Sequence, residues 1–437
     1  MTSPDLAVTP TLSLRRKWLA MAAMGLIYYF SYFQRAAVPG PLFDQLQSDL
    51  DASASAITAL SAMFIYIYGG LQLFVGMAAY RFGGRRTLLW GGLVMAVGAV
   101  LFPLAYDLPT LFACRALTGC GASFMFLSII KEVDRLWDPR HFVVFWGLFG
   151  LIGNAGVLTA AWPLAWFSHQ TDWRTALFTM GVLSAVALAA AWLALRGLGE
   201  APHGPRRPLW APILSVLRNR ASRPILVITL IYFAIYFVVQ VTLGSKFLAD
   251  FCGLSATQAS LVLTAMVVVG AVIGLLGEPI QRLTRQRRKP VFVAGLAGSV
   301  AAVATLTASV LSDAPPAVFV AAFLLLSFAV GLAMPVVGAT MKELNDPAVV
   351  SQSIAVINCL SYIGLAVLSN VVGLVLDAFA DQAAVVDGRR VYPAAAYVTV
   401  FALMTVLSLA TLIAALFVPE TRGKSRYRAL GRLGVLS

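Results

Sequence analysis

Two arginines pose the chemical question. Arg35 stands in Leu26–Pro41, LIYYFSYFQRAAVPGP, inside the first long apolar stretch of a 437-residue chain. That stretch runs from about Trp18 to Leu42, enough to cross a bilayer core of ~30 Å. Arg35 falls roughly 7–8 Å beyond its middle at 1.5 Å per residue. An arginine at that depth costs roughly 3 kcal/mol on insertion scales, so it must face a protein interior or a water-filled path. Arg115, in the fourth apolar stretch, lies roughly 6 Å to the same side of its centre. A planar guanidinium suits two-point contact with a carboxylate or phosphate. These residues therefore point to anion recognition, with Arg35 as principal contact and Arg115 either assisting or only bonding neighbouring helices.

Other reactive residues are absent from the middle of the membrane. None of the nineteen carboxylates falls near mid-span, and Asp44, Glu132 and Glu343 lie at span ends, near water. His141, His169 and His203 fall in expected loops, which removes a buried histidine relay. Cys114, Cys120, Cys252 and Cys359 have neither zinc spacing nor a disulfide framework and read as small apolar residues. With no metal cluster or nucleophile–base pair within the spans, neither enzyme chemistry nor a cofactor or metal is expected. A site with two cations and no evident partner acid is electropositive and attracts anions.

These residues need a membrane scaffold. The chain is 60% hydrophobic and 12% charged, with mean hydropathy +0.84. Its many apolar stretches of spanning length describe a polytopic all-α membrane protein rather than a barrel. Twelve spans are expected at 18–42, 55–79, 87–106, 109–131, 142–165, 174–195, 223–245, 256–277, 290–311, 317–340, 349–376 and 394–418. Turn signals such as Asp107-Leu108-Pro109 and Asn345-Asp346-Pro347 separate them. The polar break 196–222 divides two six-helix bundles, 18–195 and 223–418, with tails at 1–17 and 419–437.

Of the 32 Lys and Arg residues, all but six fall on one side of the membrane. Arg174, Lys246, Arg389 and Arg390 fall on the other, and Arg35 and Arg115 lie within spans. By the positive-inside rule, both termini are cytoplasmic. The net charge of +13 is then topological and gives no reason to expect a nucleic-acid partner. LRRKWL at the start of the first span reads as a cytoplasmic flank, not an export signal. Twenty-six arginines against six lysines point to a GC-rich bacterial genome, hence to the bacterial cytoplasmic membrane.

The halves repeat. LIYYFSYFQRAAVPGPLF at Leu26–Phe43 matches LIYFAIYFVVQVTLGSKF at Leu230–Phe247, pairing Tyr28 with Tyr232 and Tyr32 with Tyr236. Arg35 pairs with Val239, so the buried charge belongs to the first half alone. Tyr28, Tyr32 and Arg35 share one face of helix 1, and Tyr232, Tyr236 and Gln240 make a comparable stripe on helix 7.

After span 2 comes GMAAYRFGGRR, and after span 8 GEPIQRLTRQRR. The first resembles the signature loop of the major facilitator superfamily through Gly76, Arg81, Gly83, Arg85 and Arg86, and the second through Gly277 and Arg282. Tyr80 and Gln281 occupy the family's acidic position, which bears on gating; the basic residues serve either gating or membrane anchoring. Arg115-Ala-Leu-Thr-Gly119-Cys-Gly121 is similar to the family's Arg-x3-Gly-x-Gly motif. Span 5 carries Gly147, Gly150, Gly153 and Gly156, but Asn154-Ala155 replaces the Gly-Pro of the drug-antiporter motif.

The resemblance implies helices 1, 4, 7 and 10 around a central cavity. The substrate set expected is Arg35, Arg115, Tyr28, Tyr32, Tyr232, Tyr236, Gln240, Asn358 and Tyr362, with Tyr68 and Gln72 as weaker candidates. The leading reading is a monomeric secondary transporter of a small organic anion, a carboxylate or phosphate ester, working by alternating access. Exchange or uniport looks more natural than proton symport, and the coupling ion stays open. The alternatives are a carrier for a larger amphipathic solute such as a peptide, siderophore or drug, and a non-transporting membrane sensor.

Overall fold

The computed structural model describes residues 13–137, 142–196, 210–346, 349–386, 389–424 and 426. Among the described residues, twelve long helices order the chain. In the first half they are α1 (Leu14–Ala37), α2 (Ala54–Phe82), α3 (Gly84–Leu101), α4 (Leu108–Ser123, continued by Met125–Leu136), α5 (Phe142–Thr159, continued by Trp162–Gln170) and α6 (Trp173–Leu195). In the second they are α7 (Arg223–Asp250), α8 (Ala256–Leu275), α9 (Arg288–Leu311), α10 (Pro316–Leu344), α11 (Val350–Ala378) and α12 (Ala394–Leu416).

Among the described residues, eleven helices are long and apolar enough to cross a membrane. The remaining long helix, α1, is diluted by Arg15, Arg16 and Lys17 at its start and Arg35 at its end. Its length still matches a bilayer core. Large apolar side chains such as Trp90, Val186, Leu193 and Ile413 point outward, as lipid-facing surface does.

Several helix starts carry the caps their sequences announce. Asp107 accepts from Thr110 N–H at 2.9 Å, Asp172 from Thr175 N–H at 2.8 Å, and Ser255 forms a capping box with Gln258. Helix ends depart more from expectation. The first span stops at Ala37 because Pro39 cannot continue it; a 3₁₀ turn (Gly40–Leu42) and a short helix (Phe43–Asp49) follow. At the equivalent level of α7 the backbone widens into a π turn, Val238–Leu243, then resumes as Gly244–Asp250. Helix 7 thus runs five residues past its expected end at 245.

The polar break 196–222 contains a short helix, Trp210–Arg218, with Ile213 and Val216 buried. Between α11 and α12 lies a hairpin of β1 (Ala384–Val386) and β2 (Arg389–Val391), with Val385 opposite Arg390.

Glycines set how closely helices approach. A Cβ on Gly119 would lie 2.5 Å from Phe64 O of α2, and one on Gly121 would run into the Met95 and Gly91 backbone of α3. The motif Arg115–Gly121 therefore wedges α4 against both helices. Of the α5 ladder, Gly156 meets the Tyr29 carbonyl and Gly153 the rings of Tyr28 and Tyr32, whereas Gly150 faces open space. The surroundings of Gly147 lie outside the description. Between the halves, α2 packs along α11, with Gly69 against Tyr362 and Gly373 against Ser55 and Thr58.

Candidate functional site

Arg35 occupies the last turn of α1, where the helix carbonyls favour a cation. Its side chain is buried, 6% exposed. Nη1 donates to the Tyr362 hydroxyl of α11 at 2.7 Å, and the guanidinium carbon stands 4.0 Å from the Tyr32 ring centroid and 5.6 Å from that of Phe237. Tyr28 donates to Tyr32 at 3.0 Å, and Tyr68 stands edge-on to Tyr362 at 4.7 Å. Arg35 thus sits between the halves, in a ring of phenols supplied by α1, α2 and α11. Among the described residues no carboxylate pairs with it. Gln72, one turn after Tyr68, has a buried Nε2 with no hydrogen-bond partner among the described residues. Asn358 is half-buried one turn before Tyr362.

Arg115 behaves differently. It is 2% exposed, and all three of its hydrogen bonds go to backbone: Nε to Leu60 O at 3.2 Å, Nη1 to Gln34 O at 2.9 Å and Nη2 to Val38 O at 3.4 Å. Gln34 and Val38 belong to the frayed end of α1, whose last carbonyls lack helical partners. Arg115 caps α1 and ties it to α2. In this conformation its guanidinium is engaged by the protein, which departs from the expected assisting contact.

The helix 7 stripe also departs from expectation. Tyr232 donates to Ala329 O of α10 at 2.9 Å, and Tyr236 accepts from Ser327 at 3.4 Å, so both are turned into the second half. Gln240 is buried within the π turn. The side chains of α7 that reach the Arg35 cluster are Phe233, edge-on to Tyr362 at 5.3 Å, and Phe237.

At the signature loops, Gly76 and the side chains of Tyr80 and Arg81 lie outside the description. Gly83 takes φ +87°, a conformation that favours glycine, as the chain turns from α2 into α3. Glu132 of α4, expected near water, is 1% exposed. It accepts from Arg85 N–H at 2.8 Å and from Arg135 Nη2 at 2.5 Å, so it caps α3. Arg86 is exposed. In the second half Glu343 of α10 is likewise buried and takes Arg288 Nη2 at 2.8 Å and the Thr421 hydroxyl. Gly277 is buried beside Pro335, Gln281 is buried, and Arg282 is exposed. A cavity of about 330 Å³ lies here, lined by Gly277, Gln281, Gln286, Arg288 and Pro335, apart from the Arg35 cluster.

Sequence reasoning missed a third feature. Lys246, assigned to a loop, is 1% exposed. Its Nζ lies 2.6 Å from Asp44 of the first half, 3.1 Å from Asp250 and 2.6 Å from the Arg390 carbonyl. The one available signal is the spacing Lys246-x3-Asp250, which puts both on one helical face.

Comparison with known proteins matches residues 24–367 and 225–433 to the sequence model of the Major Facilitator Superfamily. The chain belongs to that family. It is a multi-pass integral membrane protein with twelve helices in two six-helix bundles. Human Monocarboxylate transporter 11 is 29% identical over 208 residues, covering 47% of this chain and 44% of that protein. Puromycin resistance protein pur8 of Streptomyces alboniger is 26% identical over 196 residues, covering 42% and 38%. The matched region thus spans less than half the length of either relative. A POT family transporter in complex with 5-aminolevulinic acid superposes with TM-score 0.76 at 11% identity, over 94% of this chain and 98% of that one, which shows the shared fold. Among the described residues no group of His, Cys, Asp and Glu is arranged to hold a metal ion.

Proposed function

We propose that this transporter moves a small organic anion, a carboxylate or phosphate ester, by alternating access, with Arg35 as its anchoring charge. One observation carries the reading: a buried guanidinium, paired with no carboxylate among the described residues, donates a single hydrogen bond, to Tyr362. Arginine carries five N–H donors, so four remain for a ligand. A buried cation without a counter-charge is unfavourable, and a two-oxygen anion supplies that charge with matching geometry. Tyr28, Tyr32, Tyr68 and Tyr362 are the phenol donors around it, and Asn358 and Gln72 are further polar candidates. Arg35 belongs to the first bundle and Tyr362 to the second, so an anion bridging them senses both. The relative named for monocarboxylate transport accords with this substrate class, and the excess of Lys and Arg in the loops on the termini's side supports a cytoplasmic location for both termini.

The test is uptake of labelled pyruvate, succinate and glycerol 3-phosphate into proteoliposomes of the purified protein. The native protein takes up at least one of them, and Arg35→Ala abolishes that uptake. Full uptake by Arg35→Ala, or no flux of any anion by the native protein alongside uptake of a bulky amphiphile, overturns the proposal.

A further inference from the structure

The cavity of about 330 Å³ at the signature-loop end of the second half takes no part in the Arg35 site. Gly277 and Gln281 reach it from one face of the short helix Gly277–Leu283, Gln286 from the turn that follows, Arg288 from the start of α9 and Pro335 from α10. Arg285 and Gln286 take φ +53° and +60°, which reverses the chain and brings Gln286 N–H to Gln281 O at 2.7 Å. In the first half a carboxylate closes the comparable loop. Glu132 accepts from Arg85 N–H at 2.8 Å, and its Oε1 would lie 2.7 Å from a Cβ on Gly84. In the second half Glu343 is drawn to the Arg288 guanidinium and the Thr421 hydroxyl, and Glu420 takes the N–H groups of Arg288 and Lys289. Among the described residues, no carboxylate lines the space.

Two groups in the lining have bonding capacity to spare. Gln281 is 5% exposed, and its Oε1 is buried with no hydrogen-bond partner among the described residues. Such an acceptor is unfavourable until a donor meets it. Arg288 spends Nη2 and Nε on Glu343, at 2.8 and 3.5 Å, which leaves Nη1. Arg285 and Arg287, exposed on the same turn, add positive charge that draws anions toward this end. Pro335 and Gly277 supply an apolar side. A water's share of liquid volume is about 30 Å³, so the space holds roughly ten groups of that size. The lining therefore calls for a small molecule with an anionic end, a hydrogen-bond donor and a short carbon chain.

We propose that this cavity is a second ligand site, separate from the Arg35 cluster, which takes a small hydroxycarboxylate. The carboxylate meets Arg288 Nη1, the hydroxyl donates to Gln281 Oε1, and the carbon chain lies against Pro335. Gln286 is a further polar contact. A carboxylate of the same length without the hydroxyl leaves Gln281 Oε1 unmet, so the site tells the two apart. The inference stands independently of the anion proposed for Arg35.

The test uses the full chain carrying Arg35→Ala, so that the first site does not contribute. The purified protein is titrated calorimetrically with 3-hydroxybutyrate and with butyrate, which differ by the hydroxyl alone. The hydroxy acid binds saturably, and butyrate binds about tenfold or more weakly. Gln281→Leu removes the acceptor at similar bulk, and the two probes then bind equally. Gln281→Glu keeps the shape but sets a negative charge against the ligand, and neither probe binds. Thermal unfolding without ligand identifies the folded fraction of each variant. No binding of 3-hydroxybutyrate (a space that holds water only), equal affinity for the two probes before Gln281 is changed, or a preference that survives Gln281→Leu overturns the proposal. With Arg35 absent throughout, failure of the anion reading leaves this result readable.

Discussion

Arg35 and Tyr362 are 327 positions apart in the chain and 2.7 Å apart in space. Their hydrogen bond runs from the first bundle to the second, so the charge proposed to hold an anion also holds the bundles together while the site is empty. A bond to a charged group is worth about 1.5–3 kcal/mol when its partner is removed. Tyr362→Phe keeps the ring and deletes the acceptor. It lowers the thermal midpoint of the unliganded protein and, by removing one phenol donor to the anion, reduces the upward shift produced by a bound anion, as differential scanning fluorimetry with added pyruvate or phosphate ester measures.

Charge alone does not satisfy the Arg35 site. Arg35→Lys preserves the cation but loses the planar fork. Initial uptake rates in proteoliposomes fall about tenfold or more, the equivalent of about 1.4 kcal/mol, and an unaltered rate refutes two-point recognition.

Arg115 has the opposite signature. Replacing it by Met leaves the carbonyls of Leu60, Gln34 and Val38 without this donor, at a cost of about 1–3 kcal/mol for each that stays buried and unpaired. Yield and thermal stability drop. The protein that survives binds anion with unchanged affinity, which isothermal titration of the folded fraction checks.

The glycines separate by what surrounds them. Gly119→Ala forces a methyl group into the Phe64 backbone and destabilises by about 1–3 kcal/mol or more. Gly150→Ala meets open space and gains about 0.5–1 kcal/mol from helix propensity. Thermal midpoints of the pair therefore move in opposite directions.

A pH dependence follows at Glu420, beyond α12. Burial opposes ionisation there, but the N–H groups of Arg288, Arg422 and Lys289 outweigh it and hold the carboxyl below its ordinary range. A depressed pKa contributes stability above the unfolded value of about 4.3, and that contribution is lost as pH falls through the lowered value. The stability difference between native protein and Glu420→Gln is constant above about pH 5 and shrinks toward zero in stronger acid. Thermal unfolding across that range measures it.

The scaffold is legible in the sequence because lipid leaves few options: apolar runs of spanning length must be helices. The basic loops and the doubled signature then give the family. Arg35 is legible for the same reason, as a charge where charges are costly. What stays hidden is what each buried group touches. Arg115 is flagged by depth, yet its partners are carbonyls, which every residue carries and no sequence marks. On α7 the expected stripe is Tyr232 and Tyr236, whereas Phe233 and Phe237 reach the Arg35 cluster; the two pairs stand side by side in the chain, so periodicity does not choose between them. Lys246 escapes because counting basic residues by loop assumes the helix ends near 245, and because Asp44 lies 202 positions away.

The π turn in α7 explains that last displacement. A π turn takes one residue more than an α turn, so Gly244–Asp250 is set about 100° round the axis from where an unbroken α-helix would carry it. Lys246 faces Asp44 because of that added rotation. Helix 7 is accordingly a shaft with a phase offset built into it: returning Val238–Leu243 to α geometry would swing the ammonium off its carboxylate by turning the helix end, with no need to translate either bundle.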